Sequence, residues 1–117
     1  MRKVVLIVED DVLIRMEAVD LFEDAGYEVI EAGDADAAVE ALEARDDITF
    51  LFTDIEMPGS MDGMALALAA RKRWPPIRIL IASGRVKPYV DEMPSGSAFV
   101  SNSYDSRQIS AAILTTS

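Results

Sequence analysis

The sequence predicts an α/β fold: a doubly wound, five-stranded parallel sheet with helices on both faces. Short apolar runs that suit buried strands alternate with longer segments in which apolar residues recur every three or four positions. No linker, repeat or low-complexity tract interrupts the 117 residues, so we expect a single domain over residues 1–117. Because parallel strands must be joined by crossover connections, this alternation of strands and helices favours a parallel sheet.

The first strand and the first helix are predicted at the start of the chain. Lys3–Val8 is an apolar run that suits a buried strand, and Gly26 suits the left-handed residue that closes the helix after it. Four apolar residues at helical spacing predict the inner face of this helix. They are Val12, Met16, Val19 and Phe22.

The second strand–helix pair and the third strand follow. Tyr27–Ala32 is predicted as a strand, and Gly33 is expected to end it. Asp34 is the expected N-cap of an alanine-rich helix that extends to about Arg45. The third strand is predicted at Phe50–Thr53, within an apolar run.

The third helix and the fourth strand are separated by a proline pair. Asp62–Trp74 is predicted as helical, with the cations Arg71–Arg73 in its last turn, where they favour the helix dipole. Pro75-Pro76 marks the break, and Ile77–Ala82 forms the fourth strand.

The connection to the fifth strand is the weakest element. Arg85–Ser97 contains two prolines and a glycine, so its helix is expected to be short or irregular. Ala98–Ser101 is predicted as the fifth strand, and Asp105–Gln108 resembles a capping box that opens a final helix. The expected inner face of that helix is Ile109, Ala112 and Ile113.

Acidic residues follow two of the predicted strands directly. Asp54 ends the third strand, and Glu9, Asp10 and Asp11 end the first. In an open parallel sheet, ligands bind at the edge where the carboxyl ends of the strands meet. The sequence therefore predicts an acidic pocket, although Asp11 is expected to cap the first helix before it serves any metal.

Crowded carboxylates repel one another, which raises the pKa of at least one unless a cation lies between them. Because all the donors are oxygen atoms and only one or two side chains can reach the metal, magnesium (Mg²⁺) fits better than a transition metal. One carboxylate then stays available as a nucleophile towards a phosphoryl group.

Composition excludes several kinds of site. The net charge of −10 disfavours nucleic acid as a ligand. The chain has no cysteine and no histidine, which removes disulfides, thiolate chemistry and most zinc sites. The apolar stretch Val4–Val8 is too short for a signal peptide or a membrane span, so we expect a cytoplasmic protein.

Four motifs together resemble the receiver domain of two-component response regulators. They are Val4–Asp11, Asp54–Gly59, Asp62-Gly63 and Ile79–Gly84, and the resemblance covers almost the whole chain. It implies the flavodoxin-like strand order 2-1-3-4-5. It also implies a monomer or weak dimer that takes a phosphoryl group from a histidine kinase or phosphotransfer protein and signals through a downstream protein, without acting as an enzyme on other substrates.

The resemblance also implies a role for individual residues. Asp54 would be the phosphoacceptor, and Ser83 would donate its hydroxyl to the phosphoryl group. Glu9, Asp10, Asp54 and the backbone carbonyl of Glu56 would hold Mg²⁺. Phe99 would be the aromatic switch residue, although a plain packing role is the alternative for it.

One departure from the family pattern concerns the end of the fifth strand. The family normally has a Lys-Pro pair there, with the lysine reaching the aspartyl phosphate, whereas this chain has Asn102 and Ser103. A neutral amide gives a hydrogen bond about half as strong as a charge-assisted one. We therefore expect weaker phosphoryl transfer unless Lys87 or Arg85 replaces the missing cation.

Two alternatives remain open at the level of sequence. Asn102 is compatible with a degenerate receiver that acts as a phosphorylation-independent interaction module. An aspartate-nucleophile phosphatase of similar topology is less favoured, because such enzymes normally have a second aspartate two residues after the nucleophile, where this chain has Glu56.

Overall fold

A computed structural model describes residues 3–57, 59, 61–84, 92–101 and 104–116 of the chain. Within these residues, strands and helices follow the predicted order, with bounds that differ only slightly from the predicted ones. The elements are β1 (Val4–Val8), α1 (Val12–Asp24), β2 (Glu28–Ala32), α2 (Ala35–Ala44), β3 (Phe50–Asp54), α3 (Gly63–Arg73), β4 (Arg78–Ser83), β5 (Ala98–Ser101) and α4 (Ser106–Thr115).

The five strands form one parallel sheet in the order β2-β1-β3-β4-β5, which confirms the predicted topology. The register pairs Val8 of β1 with Thr53 of β3, and Asp54 of β3 with Ala82 of β4. The carboxyl ends of β1, β3 and β4 therefore lie side by side at one edge of the sheet. Glu9, Asp54 and Ser83 are placed at that edge.

Helices cover both faces of the sheet, as predicted. Alternate residues of β1 point to opposite faces, and β1 and β3 are buried along their whole length. Leu6 packs with residues of α2 and α3 on one face, whereas Ile7 packs with residues of α1 and α4 on the other. The second core contains Phe22, whose ring lies 5.2 Å from the ring of Phe52.

The predicted inner face of α1 is partly wrong. Phe22 is buried and Val19 packs against the core, as predicted, whereas Val12 and Met16 are 55% and 56% exposed and the helix also buries Ala18. Arg15 is turned towards the strand ends, where its guanidinium contacts the backbone of Glu9. The apolar pattern was misleading here because an alanine and an arginine, rather than large apolar residues, occupy the inner face of the first turns.

Aspartates cap the helices at their N-termini. Asp34 and Asp62 accept hydrogen bonds from the first turns of α2 and α3, as does Asp11 for α1. At α4, Asp105 and Gln108 form the predicted capping box. Among the described residues, no helix has both the length and the apolar character needed to cross a bilayer.

The predicted weak segment, Arg85–Ser97, is described only over residues 92–97. These residues contain no α-helix, and their turn is closed by a bond from the Ser97 amide to the Pro94 carbonyl at 3.2 Å. Asn102, Ser103, Lys87 and Arg85 lie outside the described residues.

Candidate functional site

Three carboxylates converge at the carboxyl edge of the sheet. Glu9, Asp10 and Asp54 each offer an oxygen atom, and these atoms all lie within 4.8 Å of one another. Glu9 and Asp54 are only 4% and 7% exposed, whereas Asp10 is open to solvent. The three side chains line an open cavity of about 690 Å³. The chain thus concentrates negative charge where a parallel sheet places its ligands.

The backbone around Asp54 is fixed from two sides. The Ile55 amide donates to the Ala82 carbonyl of β4 at 2.9 Å, and the Gly63 amide at the start of α3 donates to the Ile55 carbonyl at 2.9 Å. Gly63 approaches so closely that a Cβ atom there would lie 1.6 Å from the carbonyl oxygen of Asp54. Only glycine therefore allows α3 to begin against the end of β3.

Arg15 holds the end of β1, where Glu9 joins the cluster. Its guanidinium donates to the backbone carbonyl of Glu9 at 2.8 Å and to the carboxylate of Glu31 at 3.1 Å. The Glu9 carboxylate in turn accepts from the Asp11 amide at 3.0 Å. The sequence reasoning missed Arg15, although its spacing of three residues from Ala18 could have indicated a place on the inner face of α1.

Burial and mutual repulsion raise the pKa of both enclosed carboxyls. The pKa of Asp54 rises to about 6, chiefly because of burial and then because of the charges of Glu56 and Asp10. The pKa of Glu9 rises to about 7, again chiefly through burial, with a further contribution from the charge of Asp54. Burial also raises the pKa of Tyr104, as do the nearby charges of this cluster. Such carboxyls gain most from a bound cation.

Ser83 ends β4 and is buried, with 3% of its surface exposed. Its hydroxyl donates to a carboxylate oxygen of Glu56 at 2.6 Å. The sequence reasoning used only the backbone carbonyl of Glu56, so this side-chain contact was missed. Because 27 residues separate the two partners, no local pattern indicated it.

A sequence profile described as "Response regulator receiver domain" matches residues 5–112. The chain belongs to this family. The finding confirms the resemblance noted from the motifs. The receiver is 36% identical over 96 residues to the response regulator protein FleR of Pseudomonas aeruginosa, a match that covers 80% of this chain and 20% of FleR.

Two further relatives are similar over most of the receiver. The transcriptional regulatory protein PdtaR of Mycobacterium tuberculosis is 42% identical over 81 residues, which cover 67% of this chain and 38% of PdtaR. The response regulator receiver protein CpdR of Brucella abortus is 37% identical over 82 residues, 70% of this chain and 67% of CpdR. The receiver therefore spans well under half the length of FleR and PdtaR.

Solved structures of receivers share the fold. A response regulator receiver protein from Sinorhizobium medicae superposes with a TM-score of 0.88 at 23% identity, covering 97% of this chain and 92% of that one. The chemotaxis protein CheY4 of Vibrio cholerae superposes with a TM-score of 0.86 at 20% identity, covering the whole of both chains. At these identities the likeness establishes the fold alone.

The donor set of this receiver fits a magnesium ion. The Oδ1 atom of Asp54 is buried and has no hydrogen-bond partner among the described residues. It lies in a cluster whose donors are all carboxylate oxygens, the ligands that hard divalent cations prefer. Glu56 lines the same cavity. Asp11 stands outside the cluster, because its Oδ1 atom accepts the amides of Leu13 and Ile14 as the N-cap of α1.

The remaining predicted site residues are placed as follows. Phe99 lies in β5 beside Ile81, is partly buried, and packs against the core on the face of the sheet that α2 and α3 cover. Its role as a switch stays a prediction. Asn102 lies outside the described residues, so its position relative to Asp54 stays a prediction as well.

Proposed function

We propose that this receiver accepts a phosphoryl group on Asp54 from a phosphohistidine of a histidine kinase or phosphotransfer protein, with Mg²⁺ as the cofactor, and that it signals through a downstream protein. The observation that carries the proposal is the convergence of Glu9, Asp10 and Asp54 within 4.8 Å. In the reaction, a carboxylate oxygen of Asp54 bonds to phosphorus as the phosphorus–nitrogen bond breaks. The imidazole leaves with the electron pair and takes up a proton.

The residues around Asp54 have distinct roles in this proposal. Glu9, Asp10, Asp54 and the backbone carbonyl of Glu56 would hold Mg²⁺, which when bound supplies positive charge against the phosphoryl oxygens. Ser83 donates its hydroxyl to the phosphoryl group once it is attached. Asn102, which replaces the family lysine in the sequence, would donate an amide hydrogen bond in its place.

We expect acetyl phosphate with Mg²⁺ to add one phosphoryl group to the purified protein, as measured by intact mass. The Asp54→Asn variant should gain nothing, because an amide cannot form the acyl phosphate. Chelation of Mg²⁺ with EDTA should slow the reaction by about a hundredfold, which is typical for loss of charge stabilisation in a transition state. An equal mass gain in Asp54→Asn would rule out this residue as the acceptor.

The proposal includes a contact surface for the phosphodonor on α1. Leu13 is 73% exposed, and Val12 and Met16 are more than half exposed, next to Ile14, which lines the acidic cavity. Apolar residues grouped at the mouth of a charged site suit a protein partner that must bring its phosphohistidine to Asp54.

Leu13→Ser is therefore expected to lower kcat/KM for transfer from a phosphorylated phosphotransfer protein by about tenfold, the effect of losing one anchoring apolar side chain. The rate with acetyl phosphate should not change, since this small donor needs no docking. Leu114→Ser is the matched control, because Leu114 is 85% exposed on α4. If both variants slow the transfer equally, the donor does not dock on α1.

A second candidate function follows from Asn102. Without the family lysine, the receiver would keep its fold and act as a phosphorylation-independent interaction module. A mass that stays unchanged with acetyl phosphate and with a phosphotransfer protein would favour this function. Addition of a phosphoryl group to Asp54 would favour the first.

A further inference from the structure

The hydroxyl of Ser83 is already engaged in the unphosphorylated protein. It donates to Glu56 at 2.6 Å, which is short and typical of a hydroxyl bonded to a charged carboxylate. Ser83 is buried at the end of β4, directly after Ala82, which pairs with Asp54 in the sheet. Glu56 lies two residues after Asp54 and lines the same cavity. Both partners of the bond therefore stand next to the proposed phosphoacceptor.

A serine hydroxyl has one proton and can donate one hydrogen bond at a time. While Ser83 donates to Glu56, it cannot donate to a phosphoryl group on Asp54. The Glu56 carboxylate also adds negative charge at the place where a phosphoryl group would bring more, and its charge already acts on Asp54. An incoming phosphoryl group must therefore replace the Glu56 carboxylate as the acceptor of the Ser83 hydroxyl. It is also repelled by the negative charge of Glu56.

We propose that the Glu56 side chain is a positioning residue that holds the Ser83 hydroxyl in the resting receiver and so slows phosphorylation of Asp54. The inference rests on the proposed function and deepens it. Release of Ser83 from Glu56 becomes part of the activation step.

The test is the rate of Asp54 phosphorylation by acetyl phosphate at saturating Mg²⁺, followed by intact mass. Glu56→Ala removes both the acceptor and the charge, and it should raise the rate by about tenfold, the size expected for release of one charge-assisted hydrogen bond. Glu56→Gln keeps an acceptor for Ser83 and should give a smaller gain. Glu40→Ala, which removes an exposed carboxylate on α2, should leave the rate unchanged.

The decisive comparison repeats Glu56→Ala in a Ser83→Ala background. If Glu56 acts by holding the hydroxyl, the gain should shrink to about twofold or less when the hydroxyl is absent, which is the coupling that a double-mutant cycle measures. Equal gains in both backgrounds would mean that Glu56 acts by charge alone and would overturn the inference. Absence of any gain in Glu56→Ala would overturn it too.

The same measurements distinguish failure of the proposed function from failure of this inference. If neither the wild type nor any variant is modified on Asp54, the phosphoacceptor assignment fails and this inference fails with it. If the wild type is modified and Glu56→Ala reacts no faster, only the inference fails. Should Glu56→Ala fold poorly by thermal unfolding, Glu56→Leu and Glu56→Leu/Ser83→Ala provide the same comparison, because leucine fills similar space and offers no acceptor to Ser83.

Discussion

Gly63→Ala is expected to lower the free energy of unfolding by about 3 kcal/mol or more, the cost of forcing extra atoms into a closely packed site. The added Cβ atom would lie 1.6 Å from the carbonyl oxygen of Asp54 and 2.9 Å from the Cα atom of Ile55. Both are backbone atoms, so no side chain can turn aside. The start of α3 must move away from β3, and this movement weakens the bond between the Gly63 amide and the Ile55 carbonyl.

Urea denaturation measures this loss, and Gly33→Ala provides the matched control. A Cβ atom on Gly33 would meet only a guanidinium nitrogen of Arg15 at 3.4 Å, and a long flexible side chain can adjust. We expect the control to change stability by no more than about 0.5 kcal/mol, as is usual for surface positions. Similar losses in the two variants would show that the close approach of Gly63 to Asp54 is not the cause.

The metal-free protein is expected to lose about 1–2 kcal/mol of stability through the acidic cluster as the pH rises from acidic to neutral. The pKa of Glu9 rises from 4.5 to about 7 on folding, and that of Asp54 from 3.8 to about 6. Between these values the folded chain binds more protons than the unfolded chain, so the contribution of these two carboxyls to stability is greatest below about pH 3.8 and falls as the pH approaches 7.

Urea denaturation in EDTA across this pH range, compared between the wild type and Glu9→Gln, isolates the effect. The variant should be more stable than the wild type at neutral pH, because its amide has no charge to bury. Addition of Mg²⁺ at 100 times its Kd should restore about 2.7 kcal/mol to the wild type and much less to Glu9→Gln. If the difference in stability between the two proteins does not depend on pH, burial of the Glu9 charge is not the cause of the loss.

The sequence predicts the sheet well because uninterrupted apolar runs indicate strands that are buried on both faces. The same reasoning places Asp54 and Glu9 together, since the ends of neighbouring parallel strands must meet. It fails for part of α1, where Ala18 and Arg15 occupy inner positions that a search for large apolar residues passes over.

It fails also for the contact between Glu56 and Ser83. That contact depends on how a loop after β3 folds back against the end of β4, and periodicity carries no information about the path of a loop. Arg15 illustrates the same limit, because an arginine that bonds a backbone carbonyl looks in the sequence like one that faces water.

The placement of β1 between β2 and β3 has a consequence for biosynthesis. Both of its partner strands come later in the chain, and Val8 meets Thr53 only after more than forty intervening residues have been made. On the ribosome, β1 can therefore pair with β2 first and lacks its second partner until β3 has emerged. The three carboxylates of the acidic cavity can come together only once β3 has been made, so the nascent β1, α1 and β2 alone cannot bind a cation there.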